Sequence, residues 1–242
     1  MSRHPEGTSR PNAQMVVDAL RHRRDSGLER LAGATRRLEI EPPCVALTFD
    51  DGPHPSYTPQ LLDGLHSAGV LATFFWVGQR AQTHPELAKR VSVEGHCIGS
   101  HSFSHRAPHG RSLEDIRSDY DKGRAAVEES IGKPTTLFRP PYGSITSKSL
   151  VAVRQLALEP WLWSVDAGDW REGVSTGDLL RTLSGVGVGD VVLLHDGAAD
   201  EGAGVGKDRS ATVELIGPLV ELLKARGLSF VTLDGRVRGF DD

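Results

Sequence analysis

Apolar positions along the chain fall into two alternating textures. Short runs rich in apolar and β-branched residues stand at 44–49 (CVALTF), 71–77 (LATFFWV), 96–102 (HCIGSHS), 135–138 (TTLF), 161–165 (WLWSV), 190–195 (DVVLLH) and 228–233 (LSFVTL). Runs of this length, bounded by Gly, Pro or charged residues, read as buried strands. Between them the apolar residues recur at helical spacing. Thr58-Pro59 opens a helix through Leu61, Leu62 and Leu65 that stops at Gly69, and a second lies around 85–95. Ser112 with Asp115 is a capping signature for a long helix to about Ile131. Further helices are predicted near 146–156, 176–183 and 212–225, the last ending before Gly227. Seven strands separated by helices predict an α/β fold with a parallel sheet and crossover helices. An open doubly wound sheet and a barrel both satisfy this rhythm, and in both the active site lies beyond the carboxyl ends of the strands.

Residues 1–40 differ in character. They hold eight arginines against five acids, whereas the whole chain of 242 residues carries a formal charge of −4. Met15, Val16, Ala19 and Leu20, then Leu28, Leu31 and Ala32, recur at roughly helical spacing, so this segment is expected to be a helical or partly disordered basic extension. The single catalytic domain is expected to occupy 41–242. A mildly acidic chain offers no basic field for nucleic acid. No apolar segment reaches membrane-spanning length and no secretory leader is visible, so the chain is expected in the cytoplasm. Cys44 and Cys97 lack metal-site spacing and are expected as buried thiols, with a single bridge between them as the alternative.

The chemistry-bearing residues gather at the strand ends. Asp50 and Asp51 follow the first strand, His101 and His105 the third, Arg139 the fourth, Asp166 and Asp169 the fifth, and His195 and Asp196 end the sixth. Two histidines four apart plus a carboxylate make a three-ligand metal set that leaves coordination positions open. Adjacent strand residues point to opposite faces, so Asp50 and Asp51 can serve one site only if the chain turns there, and Gly52-Pro53 supplies the break. Two carboxylates this close repel unless cations compensate, which a metal on one and an arginine on the other would do.

TFDDGP (48–53), HSFSH (101–105), RPPYG (139–143), DAGDW (166–170) and LLHD (193–196) resemble, in order, the five motifs of the polysaccharide deacetylases, the NodB-homology or carbohydrate esterase family 4 enzymes. The resemblance spans about residues 44–233 and implies a single distorted (β/α) barrel. It implies metal ligation by Asp51, His101 and His105, with zinc or another first-row ion such as cobalt as the cofactor. Asp50 would be the general base that deprotonates the attacking water, Arg139 its ionic partner, and His195 the general acid, paired with Asp169. The Tyr142 N–H would join the oxyanion hole. Tyr142 and Trp170 would face a sugar ring, Leu193 would line the acetyl pocket, and Asp166 would contribute to binding. Trp161 and Trp163 are expected as core. The implied reaction is N-deacetylation of N-acetylglucosamine-containing saccharides, releasing acetate and an amine. O-acetyl ester hydrolysis, deacylation of a small molecule, and a silent carbohydrate-binding module are the alternatives. The Gly-rich run 196–206 is expected as a flap near His195.

Overall fold

A computed structural model describes residues 27–38, 43–198 and 206–236. The expected helix at Met15–Leu20, the 40/41 domain boundary and most of the 196–206 run lie outside these residues. The strands are β1 (Cys44–Asp50), β2 (Thr73–Trp76), β3 (Cys97–Ser100), β4 (Leu137–Phe138), β5 (Glu159–Pro160), β6 (Val165–Asp166), β7 (Val191–His195) and β8 (Ser229–Phe230). They form one sheet in the order β5-β4-β3-β2-β1-β7-β6, with β8 beside the start of β1. Every pairing is parallel. β5 and β6 are the two edges of this path, yet only Trp161–Ser164 separates them in the chain. The sheet must therefore curl until its edges approach, which makes it a distorted (β/α) barrel with a seam.

That seam corrects one sequence expectation. Residues 161–165 are not one strand: the segment pairs with β4 through β5, then with β7 through β6. A side chain from elsewhere sits at the break. Arg139 donates to the carbonyls of Trp161 at 3.2 Å and Leu162 at 2.9 Å, taking acceptors that a continuous ladder would need.

β1 shows how the barrel separates core from site. Val45, Leu47 and Phe49 enter the main hydrophobic cluster with Leu61, Leu62, Leu65, Leu215 and Leu219, the buried faces of the helices α2 (Tyr57–Ala68) and α8 (Ser210–Ala225). Ala46 alternates onto the other face, in a cluster with Phe75, Leu137, Val191 and Leu233. Thr48 and Asp50 share that second face, so it grades from apolar to charged toward the strand's carboxyl end.

The other helices follow the sequence with small shifts. A short α1 at 27–32 precedes α2, which ends on Gly69 in the left-handed conformation at φ 66°. α4 (Pro85–Val93), α6 (Ser147–Gln155) and α7 (Thr176–Leu183) occupy the expected places, and α6 and α7 each open with a reciprocal capping box. α3 (Gly78–Thr83) was not expected from the sequence; only Gly78 and Ala81 are buried in it, too few to leave a periodic signature. Cys44 and Cys97 are buried and are not joined in a disulfide. No helix among the described residues is long and apolar enough to cross a membrane.

The helix α5 (Leu113–Ile131) crosses the HSFSH segment at Gly123. A Cβ there would lie 2.3 Å from the Ser102 carbonyl carbon and 2.5 Å from the Phe103 nitrogen, both backbone atoms that cannot swing away. Gly→Ala inside a helix ordinarily stabilises by about 1 kcal/mol. Here the sign should reverse: Gly123→Ala is expected to lower the unfolding free energy by about 2 kcal/mol, read from the urea midpoint.

Candidate active site

β1 and β7 lie side by side with Asp50 registered on His195, so the sheet itself sets the two residues facing one space. One residue further, the chain leaves the strand: Asp51 sits at φ 73° and Gly52–Pro53 is a cis bond. This turn brings Asp51 to the same side as Asp50. Val77 N–H donates to the Gly52 carbonyl at 3.0 Å, and the Arg80 guanidinium donates to the carbonyls of Asp51 and Ala198. Ser102, His105 and Tyr142 also hold positive φ, at 63°, 53° and 60°. Four of the five non-glycine residues with positive φ among the described residues thus belong to the site segments. Each costs on the order of 1–3 kcal/mol, a strain the surrounding packing must hold in place.

The carboxylate and imidazole donors of Asp51, His101 and His105 are all buried and lie within 4.8 Å of one another. His105 Nε2 is 3.1 Å from Asp51 Oδ1, and His101 Nε2 is 3.5 Å from the same oxygen. His101 Nδ1 donates to the Arg139 carbonyl at 2.7 Å, since a carbonyl can only accept. Burial, and then the neighbouring His105 charge, hold the His101 pKa well below its usual range. The ring is therefore neutral with its lone pair on Nε2, turned toward a carboxylate oxygen. Two acceptors so placed suit a divalent cation between them, and one carboxylate with two imidazoles is a donor set such ions favour.

Asp50 has a different partner. Arg139, fully buried, donates to Asp50 Oδ1 at 2.8 Å and to Thr48 Oγ1 at 2.7 Å, and its guanidinium lies 4.2 Å from the Phe75 ring centroid. Burial pushes the Asp50 carboxyl up to about 6, against the lowering effect of Arg139 and His195. The His195–Asp169 pair is equally specific. His195 Nδ1 meets Asp169 Oδ1 at 2.7 Å, and Asp169 Oδ2 accepts from the His195 backbone N–H at 2.8 Å and from Thr212 Oγ1 at 2.9 Å. Burial opposes a charge on His195, but Asp169, with Asp51 and Asp50, outweighs it and pushes the imidazole up to about 9.

Asp50, Asp51, His101, His105 and His195 line a cavity of about 320 Å³ together with Tyr142, Trp163, Asp166, Trp170, Leu193 and Arg209, with Arg139 and Asp169 behind them. Every residue singled out from the sequence as a binding residue borders it. Tyr142 is 53% exposed at the mouth, its ring 4.7 Å from that of His105. Asp166 is occupied locally: it accepts from the Gly168 N–H at 2.8 Å and faces the Trp170 indole N–H at 3.4 Å, which fixes that ring.

Three residues of the site were given no role from the sequence. Trp163, expected as core, is a cavity wall. Arg209 is buried and donates to the Gly197, Asp169, Gly206 and Asp208 carbonyls, tying together both borders of the 199–205 segment. Asp196 lies beneath the turn at Gly52, where a Cβ would fall 2.1 Å from its carboxylate. It accepts from Thr58 at 2.6 Å and the Trp76 indole at 3.2 Å, and burial pushes it up to about 7. Its place in LLHD was the one available signal. Two other histidines have local duties: His54 Nδ1 accepts from the Ser56 and Tyr57 N–H groups, and His96 Nδ1 from Ala72 N–H.

Comparison with known proteins agrees with this arrangement. A model of the polysaccharide deacetylase family matches residues 38–161, just over half of the chain and the first three of the five motifs. A peptidoglycan-N-acetylglucosamine deacetylase of Bacillus cereus is 37% identical over 196 residues, covering 80% of this chain and 88% of the relative. A chitooligosaccharide deacetylase of Azorhizobium caulinodans is 32% identical, covering 83% and 98%. Among solved structures, a family 4 carbohydrate esterase from Streptomyces lividans, in complex with acetate, superposes with a TM-score of 0.71 at 29% identity, covering 81% of this chain and 96% of that one. With five ordered motifs on one barrel and relatives matched over most of its length, the chain belongs to the polysaccharide deacetylase family.

Proposed function

We propose that this protein is a metal-dependent deacetylase that hydrolyses the N-acetyl group of N-acetylglucosamine-containing saccharides. The observation that carries the reading is the convergence, in one cavity, of a three-donor metal set, a buried carboxylate held by an arginine, and a histidine disposed to carry a proton. Peptidoglycan and chitooligosaccharide deacetylases among the relatives, and acetate bound to the Streptomyces esterase, support the same reading. Asp51, His101 and His105 would hold a divalent cation, and two imidazoles with a carboxylate favour zinc or a neighbouring first-row ion. When bound, that cation supplies Lewis acidity, polarising the acetyl carbonyl and acidifying water.

The chain's own groups divide the proton work. Asp50 takes the proton from the attacking water, and Arg139 holds its Oδ1 so that Oδ2 is left for that task. His195 gives a proton to the departing amine nitrogen, with Asp169 fixing the ring through Nδ1 and leaving Nε2 as the donor. The Tyr142 N–H serves the oxyanion, the Tyr142 and Trp170 rings face the sugar, and Leu193 meets the acetyl methyl.

Acetate release should be greater from N-acetylchitooligosaccharides than from O-acetyl xylan, should cease on chelation, and should return with zinc. No release from any N-acetylated saccharide by the zinc-loaded protein would defeat the proposal.

Substitution should separate ligand from base. Asp51→Ala, His101→Ala and His105→Ala are expected to lose bound metal, whereas Asp50→Asn keeps it and loses about 10³-fold in kcat. Metal analysis of the four variants checks this, and equal metal loss in all four would contradict the division.

The pH profile has a defined sign. Asp50 must be ionised, so the rate falls as pH drops through its midpoint of about 6. His195 must be protonated, so the rate falls as pH rises through its midpoint of about 9. A cation in the site favours the ionised carboxylate and disfavours imidazolium, drawing both midpoints down. His195→Ala should remove the basic limb of kcat/KM, and an unchanged limb would count against its role.

A further inference from the structure

The basic extension entered no step of that chemistry, yet its described part touches the site's scaffold at one place. α1 packs Leu28 and Ala32, with Ala34, against Ile145, Leu150 and Leu162. Past α1, the Thr35 N–H donates to the Pro160 carbonyl at 3.0 Å, and the Thr35 carbonyl accepts from the Leu162 N–H at 2.8 Å. Leu38 N–H then donates to the Gly189 carbonyl at 2.8 Å, and Arg37 pairs with Asp190 at 2.9 Å. Residues 35–38 therefore bridge from the end of β5 to the start of β7. They cross the seam, where the curled sheet has no ladder of its own.

The seam is also where Arg139 is cradled by the Trp161 and Leu162 carbonyls. Arg36 continues the grip by one residue. Its Nη1 donates to the Trp163 carbonyl at 2.9 Å, while Nε and Nη2 hold Glu29 at 3.0 Å and 2.6 Å. Glu29 is 9% exposed, so this ion pair is well shielded on its acidic side. The Trp163 ring walls the catalytic cavity. It also abuts Gly143, where a Cβ would fall 2.7 Å from the ring, and so backs the turn that carries Tyr142. One peptide segment, 160–163, is thus held jointly by Arg139 and by the strap, and it faces the substrate through Trp163.

We infer that residues 27–38 are a positioning element of the catalytic cavity, acting through Arg36 on Trp163 and through Thr35 on the peptide that cradles Arg139. The test uses the full chain with Arg36→Ala, Arg36→Lys and Glu29→Gln. Arg36→Met, which keeps the side-chain stem but removes both the donor to the Trp163 carbonyl and the Glu29 pair, stands in with the same expected shift if Arg36→Ala does not fold. The first readout is the Trp163 indole N–H resonance, assigned by its loss in Trp163→Phe. Arg36→Ala should shift it while the Trp76 and Trp170 resonances stay in place, Glu29→Gln should shift it in the same direction, and Arg36→Lys should restore most of the wild-type position. An unmoved Trp163 resonance overturns the inference, whatever the protein hydrolyses. The second readout rests on the deacetylase reading: with chitooligosaccharide, Arg36→Ala should raise KM about tenfold while kcat stays within about twofold. An active variant whose KM is unchanged shows a merely structural strap and overturns the positioning role. A wild-type protein that releases no acetate defeats the deacetylase reading instead, and the resonance then decides the inference alone.

Discussion

The buried pair between Arg139 and Asp50 is the constraint around which the rest of the site is arranged. A carboxylate 3% exposed would ordinarily be driven to the neutral form, and a guanidinium with no exposure would be a large unpaid desolvation cost. Together, and with Thr48, Trp161 and Leu162 accepting three further N–H groups of the guanidinium, the two charges satisfy each other. The carbonyls that Arg139 takes lie between β5 and β6, where the segment leaves the sheet and the barrel opens. The chain's response is to fill the opening from outside the repeat, with residues 35–38.

The Asp50-Asp51 dipeptide then becomes intelligible as two positions with separate partners. Asp50 is still in the strand, registered on His195 and facing Arg139. Asp51 is out of it, turned by a left-handed backbone toward His101 and His105. Adjacent residues of a regular strand could not do this, because the pleat would send them to opposite faces. Asp196 and Arg80 hold the turn from below and from its flank, so the geometry of the Asp50-Asp51 pair depends on a third buried carboxylate.

Much of this was legible because the decisive residues sit at strand ends beside chain breakers. Asp50 and Asp51 precede Gly52-Pro53, Arg139 precedes Pro140-Pro141, and His195 closes an apolar run, so local pattern alone locates them. What could not be read is what depends on distant partners. WLWSV has the composition of one strand, and nothing within it announces that a guanidinium 22 residues earlier takes two of its carbonyls. Trp163 looks like core until the curl of the sheet turns it to the cavity. Arg209 follows a Gly-rich run with no motif around it, and its role appears only when both borders of that run come within reach of one guanidinium. Thr35 and Arg36 lie in a stretch whose charge dominates its pattern, which hides a bridge made by backbone atoms.

The account's central claim is that Arg139 keeps Asp50 ionised and turned to the site. Its most direct test is a carbon-detected titration of the Asp50 carboxyl in the metal-free protein and in Arg139→Met. The account predicts a wild-type midpoint near 6 and a midpoint raised well above it in the variant, because the cation that offsets burial is gone. A midpoint unchanged between the two proteins would contradict it.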